Sequence, residues 1–495
     1  MKTRVLTLVA SLCLGILPGA TAQQTLPSVP QTLSLDDAID LAQQYNPVYR
    51  QTLNDRGPAA WGVRNAYASF LPNFNASSQV QYTGSGSQTF LAERFETSPT
   101  VGSSYSLNLN LQLNGNVLMQ PALQRAAADA TEASIDAARM STRNNVVQQY
   151  LAVLEAQAQV DLTERQVERN QENLRLAQAR FQVGQTTMLD VRQAEVAKGQ
   201  SDVGLLQASH LVTVEKLRLF QLLGIPAPDD PSLVTMSDTF PVIQPDWELG
   251  TLLNEADVEN PDVAALRAQE ASARWNERSV KSRWLPSFNL SAGWVGFTQQ
   301  FTNTDLIVSR EQESAAQQVN SCQVSNQIRL SAGLSPNDCG ALAFSPEDRE
   351  QILAENSVFP FNFTRQPFRA SISVSLPIFD QFSRNLQVSQ ASAQADDLRE
   401  TRRARELQVR TDVSQMHYGL IAAYQAIQIQ QSNRVAANEQ LRLAREQYRV
   451  GSGTFFNLLD AQVVMEQAEA DYITALYSYH RALANLEAAV GRPLR

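Results

Sequence analysis

Four stretches of the chain alternate between apolar and polar positions, and two much longer stretches carry the spacing of helices. From Tyr105 to Asn114, Tyr105, Leu107, Leu109, Leu111 and Leu113 alternate with Ser106, Asn108, Asn110, Gln112 and Asn114. One face of such a strand is greasy and the other wet. Phe74, Ala76, Val80 and Tyr82 follow the same rule, as do Ala370, Ile372, Val374, Leu376 and Ile378, and Phe288, Leu290, Ala292 and Trp294 follow it more weakly. The pattern predicts strands at about 73–83, 104–115, 287–298 and 368–379. Strands of about 10 residues cross an outer membrane when tilted. An antiparallel sheet with one face on a protein core alternates in the same way, but a wet face of uncharged amides and hydroxyls suits a water-filled lumen. Four strands are too few to close a barrel, and lipid tolerates no unpaired edge, so this reading requires further copies of the chain.

The helical stretches run from Gln120 to Gln182 and from Leu386 to Arg449, and past their first turns they contain no proline and a single glycine, Gly419. They are rich in Ala, Gln, Leu, Arg and Glu, all good helix formers. At 1.5 Å per residue each helix would be roughly 90 Å long. A Val-Gly-x-x-Thr turn follows each, where glycine can end one helix and threonine can cap the next. Returning helices are expected over Met188–Leu223 and Phe455–Val490, giving helical hairpins at 120–223 and 386–490. Ahead of each strand pair, a short helix (Leu35 to Tyr45; Trp247 to Val258) leads past Asn-Pro into a second helix that stops at Leu-Pro.

This order occurs twice. At a constant shift of 267, Leu174, Arg175, Leu176, Ala177, Val183, Gly184, Thr187 and Ala194 face Leu441, Arg442, Leu443, Ala444, Val450, Gly451, Thr454 and Ala461. A second shift of 214 relates Asn46-Pro47 to Asn260-Pro261, Trp61 to Trp275 and Leu71-Pro72 to Leu285-Pro286. The first repeat is 23–230 and the second 231–495, and the 53 extra residues of the second fall mostly in a polar stretch at 300–367 that reads as a long loop.

The N-terminus combines Lys2 and Arg4 with an apolar run from Val5 to Leu17 and the small-x-small pattern Ala20-Thr21-Ala22. Residues 1–22 thus read as a signal peptide, with Cys13 part of its apolar stretch. The formal net charge of −10 disfavours nucleic-acid partners. Cys322 and Cys339 remain, and an oxidising compartment would let them staple the loop, against the alternative of two free thiols. His210, His417 and His480 each stand alone on predicted helices and read as packing residues, so no metal or cofactor is expected. TGSGSQ at Thr83–Gln88 reads as an exposed turn and not a phosphate-cradling loop, and no catalysis is expected.

With the double repeat, RFQVGQTTMLDVRQAE, QYRVGSGTFFNLLDAQ and the LGIP and VGRP ends in hand, the mature chain resembles the TolC-type outer-membrane efflux proteins. The resemblance implies an α+β membrane protein of the bacterial outer membrane. In it a homotrimer forms a 12-stranded β-barrel continued through the periplasm by a 12-helix α-barrel. It further implies a passive exit duct of a tripartite efflux or type I secretion system, working with a periplasmic adaptor protein and an inner-membrane transporter. The belt around the α-barrel would come from the N-terminal helix and the Pro228–Trp247 linker, and the 300–367 loop would lie outside the cell.

Carried over to this sequence, the adaptor-docking tips are Val183, Gly184, Thr187, Val450, Gly451 and Thr454, and the gate is Asp190, Tyr448 and Asp460. Gly453 and Asn457 stand where the family pattern has an arginine and an acid, which weakens the expected latch. Asp460 can equally be a first-turn acid that complements a helix dipole, whereas for Asp190 the same reading yields to the gate because Tyr448 occupies the facing hairpin. The competing function is a non-conducting structural or adhesive envelope protein, anchored by strands and built on a coiled coil. A stand-alone porin fits less well, because porins have short periplasmic turns.

Overall fold

The computed structural model describes residues 31–90 and 93–494, so the signal-peptide segment lies outside the described residues. The helices are α1 (Leu35–Tyr45), α2 (Pro47–Asn54), α3 (Arg56–Ala68), α4 (Gly115–Gln182), α5 (Met188–Leu223), α6 (Leu249–Glu259), α7 (Pro261–Lys281), α8 (Thr304–Ser331), α9 (Pro346–Asn356), α10 (Ser383–Arg449) and α11 (Phe455–Val490). The strands are β1 (Thr32–Leu33), β2 (Asn73–Thr83), β3 (Gly86–Phe90), β4 (Glu93–Thr97), β5 (Thr100–Leu113), β6 (Thr235–Met236), β7 (Ser287–Phe301), β8 (Thr364–Arg365) and β9 (Arg369–Ser375). Two compact units result. One comprises the described residues up to Ala59, Ala126–Ala271 and those from Asp396 onward; the other comprises Ala60–Arg125 and Ser272–Ala395.

The first unit has a duplicated core. Ala38, Ala42, Val146, Leu219 and Leu223 are buried in one cluster, and the residues at the repeat-related positions, Leu252, Ala256, Val413, Leu486 and Val490, are buried in another. The Asn-Pro motif explains why. Asn46 accepts from the Tyr49 amide to cap α2 and donates through Nδ2 to the Leu222 carbonyl in the last turn of α5, at 2.6 Å. Asn260 likewise caps α7 through the amides of Asp262 and Val263 and donates to the Ala489 carbonyl at the end of α11, at 2.8 Å. Each asparagine therefore satisfies orphan groups at the start of one helix and the end of another. The repeats diverge at Tyr150, whose hydroxyl donates toward Leu33 O and Asp238 and ties the N-terminal segment to the linker. Its repeat-related residue is His417.

In the second unit, β2, β5, β7 and β9 form an antiparallel sheet in the order β2-β5-β7, with β9 on the other side of β7. The long strands run about as the alternation predicts, with two differences. β5 and β7 extend beyond the alternating stretch to Thr100 and Phe301, where Ser103 and Thr298 pair through their hydroxyls at 2.9 Å. β9 stops at Ser375, short of Ile378, because Pro377 has no amide to give to the ladder.

Two expectations are corrected. The helix past the first Asn-Pro is broken at Asp55 into α2 and α3, since Pro58 in the next turn cannot donate back. The 300–367 segment is not one irregular loop but contains α8 and α9. Residues 304–331 lack proline and glycine, Asn303 caps their start, and Gly333, at φ 74°, follows their end. Their apolar residues are scattered around the helix, Val324, Ile328 and Leu330 among them exposed, and form no stripe that would reveal the helical period. Cys322 and Cys339 form a disulfide in this segment, and the Asn326 side chain bonds both backbone groups of Asn337.

Candidate functional site

Turns of two hairpins meet in the first unit. Gly184 (φ 73°) and Gly451 (φ 79°) take the left-handed conformation that reverses the chain, and Thr187 and Thr454 cap α5 and α11. Val183 and Val450 are 68% and 70% exposed, so both tips present an apolar side chain to solvent. Behind the tips, Ala177 of α4, Val191 and Ala194 of α5, Leu441 and Tyr448 of α10 and Phe455, Leu458 and Ala461 of α11 share one buried cluster.

Among the described residues, no hydrogen bond, ion pair or ring contact joins the three expected gate residues to one another. Asp190 accepts from the Thr187 amide at 3.1 Å and from the Thr186 hydroxyl, closing a capping box. Burial pushes its carboxyl up, but the hydrogen bonds from Thr186 and Thr187 outweigh that effect and hold it below the usual carboxylate range. Tyr448 is buried, with no hydrogen-bond partner for its hydroxyl among the described residues. Its ring lies under Arg180, a residue that the motif comparison passes over. Asp460 is exposed one turn into α11. The signal for Arg180 was present in the chain's own duplication. Its repeat-related residue is Gln447, so the two tips differ where one clamps the other.

A buried polar network also escaped sequence reasoning. Gln462 of α11 accepts from Asn173 at 2.5 Å and donates to Asn170 at 2.8 Å and to Glu466 at 2.7 Å. Arg169 lies 3.7 Å from both Glu466 and Glu469. Burial pushes the Glu466 carboxyl above its ordinary value against the pull of Gln462 and Arg169. Amphipathic spacing singles out apolar positions, and these amides interrupt the seam between α4 and α11.

In the sheet, cross-strand register puts like with like. Phe74 pairs with Leu109 and Ala76 with Leu107; Leu107 pairs with Trp294, Leu111 with Leu290, and Leu290 with Ile372. On the opposite face, Asn75 pairs with Asn108, and the Ser77 and Ser106 hydroxyls are 2.7 Å apart, as are those of Ser291 and Ser371. Successive strands therefore share one greasy face and one wet face. Among the described residues, the outer edges of β2 and β9 have no strand partner.

A family model described as outer membrane efflux protein matches residues 38–225 and 347–492. The chain belongs to the outer membrane efflux protein family. It is 23% identical over 440 residues to nodulation protein T of Rhizobium leguminosarum bv. trifolii, covering 88% of this chain and 80% of that one. It is 22% identical over 471 residues to outer membrane protein TolC of Escherichia coli, covering 92% and 83%. The fold matches that of a membrane protein from Pseudomonas aeruginosa with a TM-score of 0.68 at 20% identity, covering 95% and 92%. The chain is thus a bacterial outer-membrane channel protein with a periplasmic extension, and the members of its family are channels and not enzymes. The unmatched residues 226–346 include α8, so the stapled segment stands largely outside what the family shares.

Proposed function

We propose that three copies of the chain close the four long strands into a 12-stranded barrel and the hairpins into a 12-helix tube. In this reading the assembly is a passive exit duct for an inner-membrane transporter linked to it by a periplasmic adaptor. The observation that carries the reading is the register. Four neighbouring strands stack their apolar side chains on one face and uncharged polar ones on the other, with unpaired edges that lipid would not tolerate. Edge-to-edge closure by further copies removes both edges and places the serines and asparagines around water.

The exposed tips around Val183, Gly184, Thr187, Val450, Gly451 and Thr454 are the surface that the adaptor would grip. Tyr448, Asp190 and Asp460, each within two helical turns of those tips, would set the width and charge of the opening. Three Asp460 carboxylates around a three-fold axis would favour cations. The stapled segment from α8 to α9 would lie at the extracellular mouth, since Asn356 at its end bonds both backbone groups of Phe301 at the end of β7.

The test is single-channel recording of the purified protein in planar bilayers, with its mass determined in the same detergent. Trimers with small cation-selective openings that lose selectivity in Asp460→Ala and widen in Tyr448→Ala support the duct. Inserted trimers without conductance would instead leave a structural envelope anchor.

A further inference from the structure

The second unit carries a second duplicated motif, outside the tips and the strands. Trp61 and Arg64 in α3 correspond, at the shift of 214, to Trp275 and Arg278 in α7. In both helices the guanidinium sits over the indole at 4.6 Å from the ring centre. Arg125 covers Tyr67 at 5.1 Å, and Arg384 covers Trp284 at 4.1 Å. Four arginine–aromatic pairs thus gather on the helix ends that flank the strands.

Two observations say what these pairs face. The first is exposure. Trp61 is 66% exposed and Tyr67 43%, whereas Gly62 and Ala66 on the other side of α3 turn inward, Gly62 lying so close to Gln124 that an added Cβ would meet its Oε1 at 2.9 Å. The helix therefore turns its aromatic and basic stripe outward. The second is charge. In a chain of net charge −10, residues 60–72, 114–125, 272–286 and 379–395 carry seven basic residues against two acidic ones, Glu277 and Asp380. Glu277 is held by Lys281 and Asp380 by Arg384. Among the described residues, no carboxylate pairs with Arg64, Arg125 or Arg278. An exposed guanidinium stacked on an indole that is exposed at Trp61 and half-buried at Trp275, repeated beside the ends of strands with one greasy face, fits a layer where hydrocarbon gives way to anionic headgroups.

We propose that this basic aromatic collar is a binding surface for the phosphate groups of anionic phospholipids in the leaflet nearest the helices. The indoles sit at the depth of the headgroups, and Arg64 and Arg278 each take a lipid phosphate through their forked donors. With three chains, the two Trp-x-x-Arg pairs become six stations around the duct. The collar holds the barrel at one height in the membrane and recruits anionic lipid to its rim. The proposal rests on the reading of the sheet as embedded in lipid.

The chain has five tryptophans, at 61, 247, 275, 284 and 294. The test keeps one at a time, with the others replaced by phenylalanine, in the full-length trimer reconstituted in vesicles. Fluorescence is read with brominated phosphatidylglycerol or brominated phosphatidylcholine at equal mole fraction. Trp61 and Trp275 are expected to be quenched roughly two- to five-fold more by the anionic lipid, the enrichment that about 1 kcal/mol per basic residue supplies. Arg64→Gln should abolish the preference at Trp61 and leave that at Trp275, Arg278→Gln should do the reverse, and Arg64→Lys should retain most of it. Equal quenching by both lipids at Trp61 and Trp275, or no quenching there while Trp294 on the greasy strand face is quenched, overturns the collar. If Trp294 too escapes both lipids, the sheet is not in the membrane and the reading beneath the proposal falls with it.

Discussion

The guanidinium of Arg180 lies 4.4 Å from the centre of the Tyr448 ring and donates at 2.7 Å to each of the last two carbonyls of α10, those of Tyr448 and Arg449. Helix-end carbonyls lack intrahelical partners and carry the negative end of the dipole, so a forked cation there satisfies both needs. One hairpin thereby clamps the tip of the other. Arg180→Ala should remove this clamp at a cost on the order of 1.5 to 3 kcal/mol, the range for hydrogen bonds to charged groups. Larger conductance, with insertion and trimer mass unchanged, is the expected result. Arg180→Lys should be intermediate, because an ammonium cannot reach both carbonyls in one plane. Unchanged conductance in both variants would remove Arg180 from the gate.

Gln462 holds two buried asparagines of α4, which makes it costly to replace with a side chain of similar size. In Gln462→Leu the Asn170 and Asn173 amides lose their partner, at about 1 to 3 kcal/mol for each unsatisfied group. Thermal unfolding followed by circular dichroism should show a lower Tm, and substitution at the exposed Asn457 should show almost none of this loss.

The same seam should respond to pH through Glu466. Burial raises its carboxyl above the ordinary value of 4.5, so the folded protein holds that proton more firmly than the unfolded chain does. Stability from this group therefore grows as pH falls through the raised value, and stops growing near 4.5, where the unfolded chain is protonated as well. Arg169 and Glu469 face it, and they remain paired when it becomes neutral. The Tm difference between the parent and Glu466→Gln should shrink between about pH 7.5 and about pH 5. A difference that stays constant, or widens toward acid, contradicts the assignment.

Adjacent residues on one strand should behave in opposite ways. Leu109 lies on the greasy face and Asn110 on the wet one. Leu109→Arg should impair membrane insertion, with a cost of about 2 to 4 kcal/mol near the bilayer midplane. Asn110→Arg should insert normally and shift selectivity toward anions. Heat-modifiable migration of the trimer and reversal potentials in a salt gradient read the two effects.

The disulfide should matter locally. Cys322 and Cys339 are 17 residues apart, and closing a loop of about that length is worth about 3 kcal/mol. Cys322→Ser with Cys339→Ser should leave trimer formation and helix content intact and should speed proteolysis between 332 and 345. Cleavage at the parent rate would mean that the Asn326–Asn337 bonds hold the segment unaided.

Features that depend on local chemistry were legible in the sequence. The returning helices Met188–Leu223 and Phe455–Val490 begin and end where the threonine cap and glycine stop place them. The strand β2 spans 73–83 as its alternation indicates. What depended on a partner distant in sequence was hidden. Arg180 finds Tyr448 across 268 residues, and apart from its mismatch with the repeat-related Gln447 nothing in the sequence marks it as a clamp. α8 was hidden for another reason. A helix whose few apolar residues are scattered among polar ones leaves no apolar stripe to count. His210, expected from the sequence to be a packing residue, is exposed, because its neighbours alone do not say which face of α5 is covered.

The two asparagine joints have the same geometry, yet Asn46 reaches its carbonyl across 176 residues of chain and Asn260 across 229. The 53 additional residues leave no mark on the seam. A splice made by one side-chain amide, and not by the peptide chain, fixes where two helices abut without fixing how much polypeptide is paid out between them. The stapled segment can thus be lengthened, shortened or exchanged while both asparagine joints, and the helix ends they splice, keep their geometry.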